Sequence, residues 1–369
     1  MPQLNFYRPT FAAIDLNAIK MNILNLQLHL ESNVDIIAVV KANAYGHGAV
    51  EVSRTALLAG ASMLAVATPD EAIRLREQGI ESPLLVLGAS PPAFAEVAAN
   101  QNIIITVFNE DWLNLVSDLS KPLQVHIKLD TGMGRLGLQS EAELQSFLQK
   151  ICKRNDMEID GVFTHFATAD EEDNLFFREQ ISKFKHFLTL FKEKPRLVHA
   201  ANSAASLVHM ESVFDAVRFG ISLYGLAPSV HVEKTMPFEL KPALSLQTEL
   251  VNVKKMEKSS PISYGGTYKT EEEEWIGTLP IGYADGLLRG LSGQEVLIRG
   301  KRYPIVGRVC MDQCMVRLDE QMPIGENVVL LGRQGHDVIH IDEWAQKLLT
   351  ISYEIPCLLS ERIPRVYTR

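Results

Sequence analysis

Residues 36–48 read IIAVVKANAYGHG, a stretch in which five apolar residues lead to Lys41 and then to a turn containing two glycines. An apolar run without alternation is typical of a parallel strand that is buried on both faces. Lys41 either marks the point where this strand leaves the core or supplies an amine to a site there. Tyr45 and His47 favour the second interpretation, because they add polar groups beside the amine. The glycines allow backbone to approach a ligand closely.

Seven further short apolar runs follow the first, and helix-like segments separate most of them. The runs cover residues 63–67, 84–87, 103–107, 125–129, 159–164, 197–200 and 216–221. Eight strands that alternate with helices predict an α/β fold, namely a closed (β/α)8 barrel of the TIM type. A doubly wound open sheet is the alternative, but no Gly-x-Gly-x-x-Gly motif follows the first strand.

The pattern changes near residue 240, where Pro237 and Pro242 bracket a linker. The remainder reads as short strands joined by glycine-rich turns, with one helix capped by Asp342. The strands are expected at residues 244–253, 275–280, 295–298, 306–310, 315–318 and 328–331, and the helix at 342–349. We therefore predict a barrel domain over residues 1–240 and a smaller, mainly β C-terminal domain over 241–369. The first strand, within about residues 1–14, is counted with the barrel domain, and the alternative is that it packs with the second domain.

Composition and charge restrict the class of protein. The chain of 369 residues is 46% hydrophobic and 22% charged, which is a globular balance, and its length suggests two domains. A net charge of −9 argues against nucleic acid or an anionic membrane as partner. No apolar run approaches the ~18 residues that a membrane span needs, and the N-terminus shows no secretory signal. These features predict a cytoplasmic protein.

The four cysteines do not form a recognisable metal motif. Cys310 and Cys314 are four residues apart, but no second pair or histidine cluster completes a zinc site. We expect free, buried thiols in a reducing compartment and no bound metal.

The active site of a barrel lies at the carboxyl ends of its strands, and cationic or polar residues gather there in this chain. These residues are Lys41, the segment 128–135, residues 164–165, His199, Asn202, Ser203, Arg218, Gly220 and Ile221. Each alone is usually an ordinary rim residue. Together they predict a cationic pocket for a phosphorylated, carboxylate-bearing ligand. The helix start at Asn202 and Ser203 and the turn around Gly220 offer backbone N–H groups to a phosphate, although Ser203 can also be a helix cap alone.

Three long motifs resemble those of the alanine racemases, a family that uses pyridoxal 5'-phosphate. They are VVKANAYGHG at residues 39–48, KLDTGMGRLG at 128–137 and VGRVCMDQ at 306–313. The resemblance covers essentially the whole chain. It implies interconversion of L- and D-alanine in a bacterial cytoplasm, with D-alanine supplying peptidoglycan. It also implies a homodimer whose active sites are shared between subunits.

The resemblance further assigns roles to residues of the barrel. Lys41 would bind the cofactor covalently and exchange the proton on the D face of the substrate. The phosphate would be held by Tyr45, Asn202, Ser203, Gly220, Ile221 and Tyr353. Arg218 would face the pyridine nitrogen and, being a permanent cation, keep that nitrogen unprotonated, which favours proton exchange over decarboxylation. Arg135 would bind the substrate carboxylate with help from Met311.

A second base is implied by SYGGTY at residues 263–268, which matches the family's catalytic tyrosine at Tyr264. This tyrosine would reach the barrel of the second subunit and serve the L face. A phenol has a pKa of about 10, so cationic neighbours must favour its ionised form for it to act as a base near neutrality. His165, linked to Arg218, is the family's candidate for that coupling, and Asp312 would wall the site from across the dimer interface.

Lys128 stands where many family members carry a lysine carbamate formed with carbon dioxide, which would orient Arg135. An unmodified lysine beside Asp130 is the alternative.

Four residues resemble the corridor through which substrate reaches the site: Asp170, Tyr283, Arg289 and Arg308. An ordinary turn with surface ion pairs is the other interpretation of these residues. Three rival functions also stay open. They are a racemase of serine or of broad small-residue specificity, a barrel-class decarboxylase, which Arg218 disfavours, and a non-catalytic cofactor carrier. Such a carrier should lack the second domain and its tyrosine.

Overall fold

The computed structural model describes residues 6–369, and the chain falls into two units. Ala18–Pro242 forms one unit, and residues 6–17 together with Ala243–Arg369 form the other. The first strand, β1 (Phe11–Asp15), belongs to the second of these. It pairs antiparallel with the strand Leu244–Glu249 and parallel with the strand Arg365–Thr368.

Eight parallel strands close the first unit into a barrel, as the sequence predicts. They are β2 (Asp35–Val39), β3 (Met63–Val66), β4 (Leu84–Ala89), β5 (Ile103–Val107), β6 (Leu123–Lys128), β7 (Met157–Phe163), β8 (Leu197–His199) and β9 (Ala216–Phe219). Pairing of β2 with β9 closes the ring, so the alternative of an open sheet is wrong. Most side chains of these strands are buried, because helices cover the outside and side chains fill the inside.

Helices alternate with the barrel strands. They are α1 (Leu16–His29), α2 (Ala49–Leu58), α3 (Pro69–Glu77), α4 (Ala95–Asn100), α5 (Glu110–Leu115), α6 (Glu141–Ile151), α7 (Leu175–Leu188), α8 (Ser203–Val208) and α9 (Val230–Thr235). Polar side chains cap the N-termini of several of these helices by accepting a hydrogen bond from a free backbone N–H. Ser140 does so for α6 and Thr68 for α3. Throughout residues 6–369, no helix is both long and apolar enough to cross a bilayer.

The turn after β2 is left-handed, which the sequence did not predict. Ala42, Asn43, Ala44 and Tyr45 have φ between +50° and +54°. This conformation costs an L-residue roughly 1–2 kcal/mol. Neighbouring groups hold the turn in place, since the Ala42 amide donates to Glu71 Oε1 at 2.6 Å and the Asn43 side chain accepts the Ala49 amide at 2.8 Å.

The second unit is mainly β, as predicted. Its large sheet has the order β11 (Asn252–Met256), β14 (Glu274–Leu279), β17 (Cys314–Leu318), β16 (Lys301–Val306), β15 (Glu295–Ile298), β18 (Asn327–Gln334), β10 (Leu244–Glu249), β1 and β20 (Arg365–Thr368). β19 (Asp337–Ile339) pairs with β18, and β12 (Pro261–Ile262) pairs with β13 (Tyr268–Lys269). Two helices, α10 (Ile341–Leu348) and α11 (Glu354–Leu358), complete the unit.

Two strand predictions in this unit are wrong. The run expected at residues 244–253 is two strands, because the chain turns at Leu250, whose amide bonds to Glu326 and whose carbonyl accepts Gly325. The strand expected at 306–310 does not form. β16 ends at Val306, and Gly307 takes a φ of +70°, which breaks the extended backbone.

The predicted cap of the C-terminal helix is also wrong. His340 precedes α10, and the carboxylate of Glu343 accepts its amide at 3.0 Å, whereas Asp342 lies inside the helix and accepts a bond from Ser352. All four cysteines are free, as predicted, but only Cys314 is buried, whereas Cys310 is half-buried and Cys152 and Cys357 are exposed. Apolar neighbours in the sequence therefore do not predict whether a cysteine is buried.

Replacing Ala42 with glycine should stabilise the protein, because Ala42 is exposed and strained. Relief of the left-handed conformation outweighs the extra freedom of glycine in the unfolded chain, so the free energy of unfolding should rise by about 0.5–1 kcal/mol in urea titrations. Ala142→Gly is the matched control. That alanine is exposed in right-handed α6, so its replacement should lower the free energy by about 0.5–1 kcal/mol. If Ala42→Gly lowered the free energy of unfolding as much as Ala142→Gly does, Ala42 would not be strained.

Candidate active site

Four basic side chains act on one imidazole at the carboxyl ends of the barrel strands. Lys41 follows β2, Lys128 ends β6, and His165 follows β7. The pKa of His165 lies well below its ordinary value of 6.5, first because the ring is buried and then because of the positive charges on Arg218, Arg135, Lys128 and Lys41. The structure therefore gathers these side chains at one place and keeps His165 neutral.

Arg218 is the most constrained of these side chains, being only 4% exposed on β9. Its Nη1 donates to His199 Nδ1 at 2.7 Å, and its Nη2 donates to the carbonyls of Thr164 and Ala200, both at 2.8 Å. His165 Nδ1 lies 3.3 Å from Nη2. Within residues 6–369 no acceptor contacts its Nε–H, which leaves that group for a ligand.

Burial and then the charge of Arg135 lower the pKa of Arg218 to about 9. The guanidinium is still protonated at neutral pH. It therefore offers a fixed N–H donor and a positive charge to any ring nitrogen placed against it.

Two hydroxyl groups converge at Gly220. The Gly220 amide donates to Ser203 Oγ at 2.9 Å. A β-carbon built on Gly220 would lie 3.1 Å from the Tyr45 hydroxyl and 3.6 Å from Ser203 Oγ, so glycine keeps this space open. Ile221 follows and begins the 3-10 turn Ile221–Tyr224. Hydroxyls and backbone amides of this kind suit the oxygens of a phosphate.

The helix cap beside this space is Asn202 and not Ser203. Asn202 Oδ1 accepts the Ala205 amide at 3.0 Å, and its Nδ2 donates to the Phe166 carbonyl at 3.4 Å. The sequence alternative in which Ser203 is only a cap is therefore wrong. The Asn202 side chain orients α8, and the Ser203 hydroxyl is directed to Gly220.

A glycine-rich loop after β6 carries Arg135. The loop closes where the Asp130 amide donates to the Leu138 carbonyl at 2.9 Å, and the Asp130 carboxylate accepts the amides of Gly132 and Gly134 at 3.0 and 3.1 Å. This carboxylate therefore fixes the backbone of the loop. Arg135 itself is exposed.

Lys128 is 5% exposed at the base of the loop. Its Nζ lies 5.2 Å from the centre of the Phe163 ring. Burial, followed by the charges of Arg135 and Arg218, lowers its pKa to about 7, although Asp130 acts in the opposite direction. A large share of Lys128 is therefore a neutral amine at physiological pH.

In the second unit, Tyr264, Met311 and Asp312 lie along one open groove of about 1100 Å³. Tyr264 is 71% exposed and Met311 52% exposed. Ser263 Oγ donates to the Arg308 carbonyl at 2.6 Å, which ties the tyrosine turn to the segment that carries the other two. The three residues predicted to act across a dimer interface thus share one surface.

The residues predicted for the substrate corridor divide between the units. Tyr283 begins the 3-10 turn Tyr283–Asp285, and its amide donates to the Cys310 carbonyl at 3.0 Å, next to Met311. Arg289 begins a second 3-10 turn and Arg308 packs beside Gly265. In the barrel unit, the Asp170 carbonyl accepts Ser229 Oγ at 2.6 Å. Tyr353 directly precedes α11.

Sequence reasoning missed the buried polar residues beneath Arg218. His126 lies inside a strand that was interpreted as apolar, and Asp160 lies inside the next one. A polar residue within a run of apolar strand residues is the sequence feature that could have revealed them, because a buried polar group needs a hydrogen-bond partner.

Comparison with known proteins agrees with this arrangement. The family model "Alanine racemase, N-terminal domain" matches residues 14–228, and "Alanine racemase, C-terminal domain" matches residues 243–367. The alanine racemase of Geobacillus stearothermophilus is 52% identical over 99% of this chain and 95% of its own. The crystal structure of the alanine racemase from Bacillus anthracis with bound L-Ala-P superposes with a TM-score of 0.96 at 47% identity, covering 99% and 96% of the two chains.

A histidine racemase from Leuconostoc mesenteroides is also similar, with a TM-score of 0.93 and 30% identity over 100% of this chain and 99% of its own. The barrel with a strand-end lysine, followed by a mainly β unit, thus defines a class of amino-acid racemases. This chain belongs to the alanine racemase family and is an isomerase.

Proposed function

We propose that this protein interconverts L- and D-alanine with pyridoxal 5'-phosphate as cofactor. The observation that carries the proposal is the barrel end, where an amine, a fixed guanidinium and two converging hydroxyls lie together. Relatives that are 52% identical over 99% of this chain are alanine racemases, which supports alanine as the substrate. When bound, the cofactor supplies an electron-accepting ring that acidifies the Cα hydrogen of an attached amino acid.

The residues at Gly220 fit a phosphate, and Arg218 fits a ring nitrogen. Tyr45, Ser203 and the backbone of Gly220 and Ile221 would hold the phosphate, with Tyr353 and with Asn202 orienting the helix. The unpaired Nε–H of Arg218 would donate to the pyridine nitrogen and hold it unprotonated. A weak electron sink favours rapid return of the proton to Cα over other reactions.

Two bases are needed to move a proton between the faces of the substrate. Lys41 would take or return the proton on the D face. Tyr264 of the partner subunit would do so on the L face. His165 accepts at Nδ1 from Arg218, so its neutral ring carries a proton on Nε2, with which it can stabilise the tyrosine anion. Arg135 and Met311 would hold the substrate carboxylate.

The exposure of Tyr264 and Met311 supports a homodimer. A catalytic phenol open to water would be poorly placed, whereas a second copy of the chain could cover the groove and enclose the site. Asp312 accepts a hydrogen bond from Arg362 at 2.7 Å, which fixes it on this surface. Asp170, Tyr283, Arg289 and Arg308 would line the path of the substrate.

The alternative racemase functions differ from this proposal in their substrate. The similarity to a histidine racemase favours a racemase of other or broader specificity as the second candidate. A cofactor carrier would have no need of the second unit and Tyr264. A cytoplasmic location and a role in peptidoglycan synthesis are parts of the same proposal, supported by cysteines that form no disulfide within residues 6–369.

The assay that tests the proposal incubates the holoenzyme with a panel of L-amino acids and measures the D-enantiomers. L-alanine should be converted faster than serine or histidine. In deuterium oxide, Tyr264→Phe should slow Cα exchange from L-alanine at least tenfold more than from D-alanine, because only one base is lost. Tyr268→Phe, in the strand β13 that follows the turn, is the control and should affect both directions equally. Equal loss in Tyr264→Phe would contradict the two-base assignment.

We also propose that Lys128 carries a carbamate. Its neutral amine attacks carbon dioxide, forms an N–C bond and releases one proton to solvent, which leaves an anion beside Arg135. With its pKa lowered to about 7, the amine becomes neutral as the pH rises from about 6 to about 8. A carbamate signal in 13C NMR under 13C-labelled carbon dioxide should grow over that range. Lys128→Gln should abolish it and Lys153→Gln, at an exposed lysine, should not; a signal that survives Lys128→Gln refutes the carbamate.

A further inference from the structure

A chain of buried polar groups runs from Arg218 away from the cofactor site. His199 Nε2 lies 2.9 Å from His126 Nδ1, and His126 Nε2 lies 3.0 Å from Asp160 Oδ2. Arg196 closes the chain by donating to both oxygens of Asp160 at 2.6 and 2.7 Å. The two imidazoles are completely buried, and Asp160 is 2% exposed.

The two ends of this chain together set the direction of its hydrogen bonds, because the Arg218 guanidinium only donates and the Asp160 carboxylate only accepts. A guanidinium only donates, so His199 Nδ1 must accept and the His199 proton must sit on Nε2. That proton is donated to His126 Nδ1, so the His126 proton sits on Nε2 and is donated to Asp160. Burial lowers the pKa of both His126 and His199, so each ring carries a single proton. Asp160 is therefore the acceptor that this arrangement requires at its far end.

The backbone is shaped to make this contact. The pairing of β6 with β7 shifts register so that Val125 faces Ile159 and His126 faces Gly161, which leaves Asp160 as the extra residue of a β-bulge. Bulges re-aim a side chain and are frequent next to active sites. A β-carbon on Gly161 would lie 2.6–2.8 Å from three atoms of the His126 ring, so glycine is needed for the ring to fit.

Asp160 is an anion at neutral pH. Burial alone would raise its pKa, but the hydrogen bonds from His126 and Arg196 hold that pKa below its usual value. The side chain of Arg196 is more than half exposed, so its charge is partly screened by water, whereas the hydrogen bond between Asp160 and the buried His126 is not. The negative end of the chain therefore polarises both imidazoles toward Arg218.

We propose that Asp160 and His126 are positioning residues for the racemisation: by fixing the tautomer of His199, they hold the Arg218 guanidinium against the cofactor ring. This proposal rests on the proposed function. Arg218 has no carboxylate within 4 Å among residues 6–369, so His199 is its oriented acceptor on that side. Without a fixed His199, the Arg218 plane loses one of the bonds that aim its Nε–H.

The alternative is that Asp160 merely ties two strands together through an ion pair. Asp156 provides the comparison, since Arg154 donates to both its oxygens at 2.8 and 2.7 Å directly before β7, and no histidine among residues 6–369 hydrogen-bonds to it. Asp156→Asn should therefore reproduce any loss of ion-pair stability without changing the histidines.

The test compares Asp160→Asn with Asp156→Asn in the holoenzyme, using 15N NMR of labelled histidine side chains and steady-state kinetics. Wild-type His126 and His199 should each show one protonated and one unprotonated ring nitrogen. Asp160→Asn should mix the tautomers of both rings and lower kcat about tenfold with KM changed less than threefold. Asp156→Asn should keep the tautomers and kcat. Gly161→Ala, which displaces the His126 ring, should repeat the Asp160→Asn result.

Unchanged tautomers in Asp160→Asn, or equal effects in Asp156→Asn, would overturn the proposal. If the wild-type protein racemises nothing, the proposed function fails, and the NMR comparison still decides whether Asp160 fixes His199. A mixed spectrum with unchanged kcat would show that the tautomer does not position Arg218 and would also overturn the proposal.

Discussion

The barrel floor is organised around a buried guanidinium that can donate hydrogen bonds and never accept one. Burying Arg218 requires that its neighbours accept, and the structure supplies three backbone carbonyls and two imidazole nitrogens for that purpose. This requirement fixes the protonation of His165 and His199. It also leaves one N–H and a positive charge on the side of the cofactor, which is the property that suits proton exchange.

The lysine side of the site depends on a different constraint. Lys41 precedes four residues in a left-handed turn, and Glu71 and Asn43 hold that turn by accepting backbone amides. Strain of this kind persists only where neighbours enforce it, and it is frequent at functional sites. The turn brings the Tyr45 hydroxyl to the space above Gly220, so the amine and the phosphate position are set by one short segment.

The repeated apolar strands, the barrel and the lysine at a strand end follow from the sequence because burial and period are local properties. The motif at residues 128–137 likewise makes Arg135 a candidate, the segment 263–268 does so for Tyr264, and the apolar run at 216–221 does so for Arg218. The left-handed turn could not be predicted, since alanine rarely adopts it and Glu71 is distant in sequence. The chain from Arg218 to Asp160 depends on a register shift between two strands, which hydrophobic patterns do not encode. The strand expected at residues 306–310 does not form, because Gly307 takes a positive φ. Only the packing of the folded turn requires that conformation.

Two amines at this barrel end are candidates to bind the proposed aldehyde cofactor. Lys128 is the one with a pKa lowered to about 7, yet it is almost fully buried, whereas Lys41 extends from the turn that also carries Tyr45. The most direct measurement is borohydride reduction of the holoenzyme followed by peptide mapping of the pyridoxyl group. The account predicts the label on Lys41 and none on Lys128. Label on Lys128, or on a lysine outside the barrel end, would contradict it.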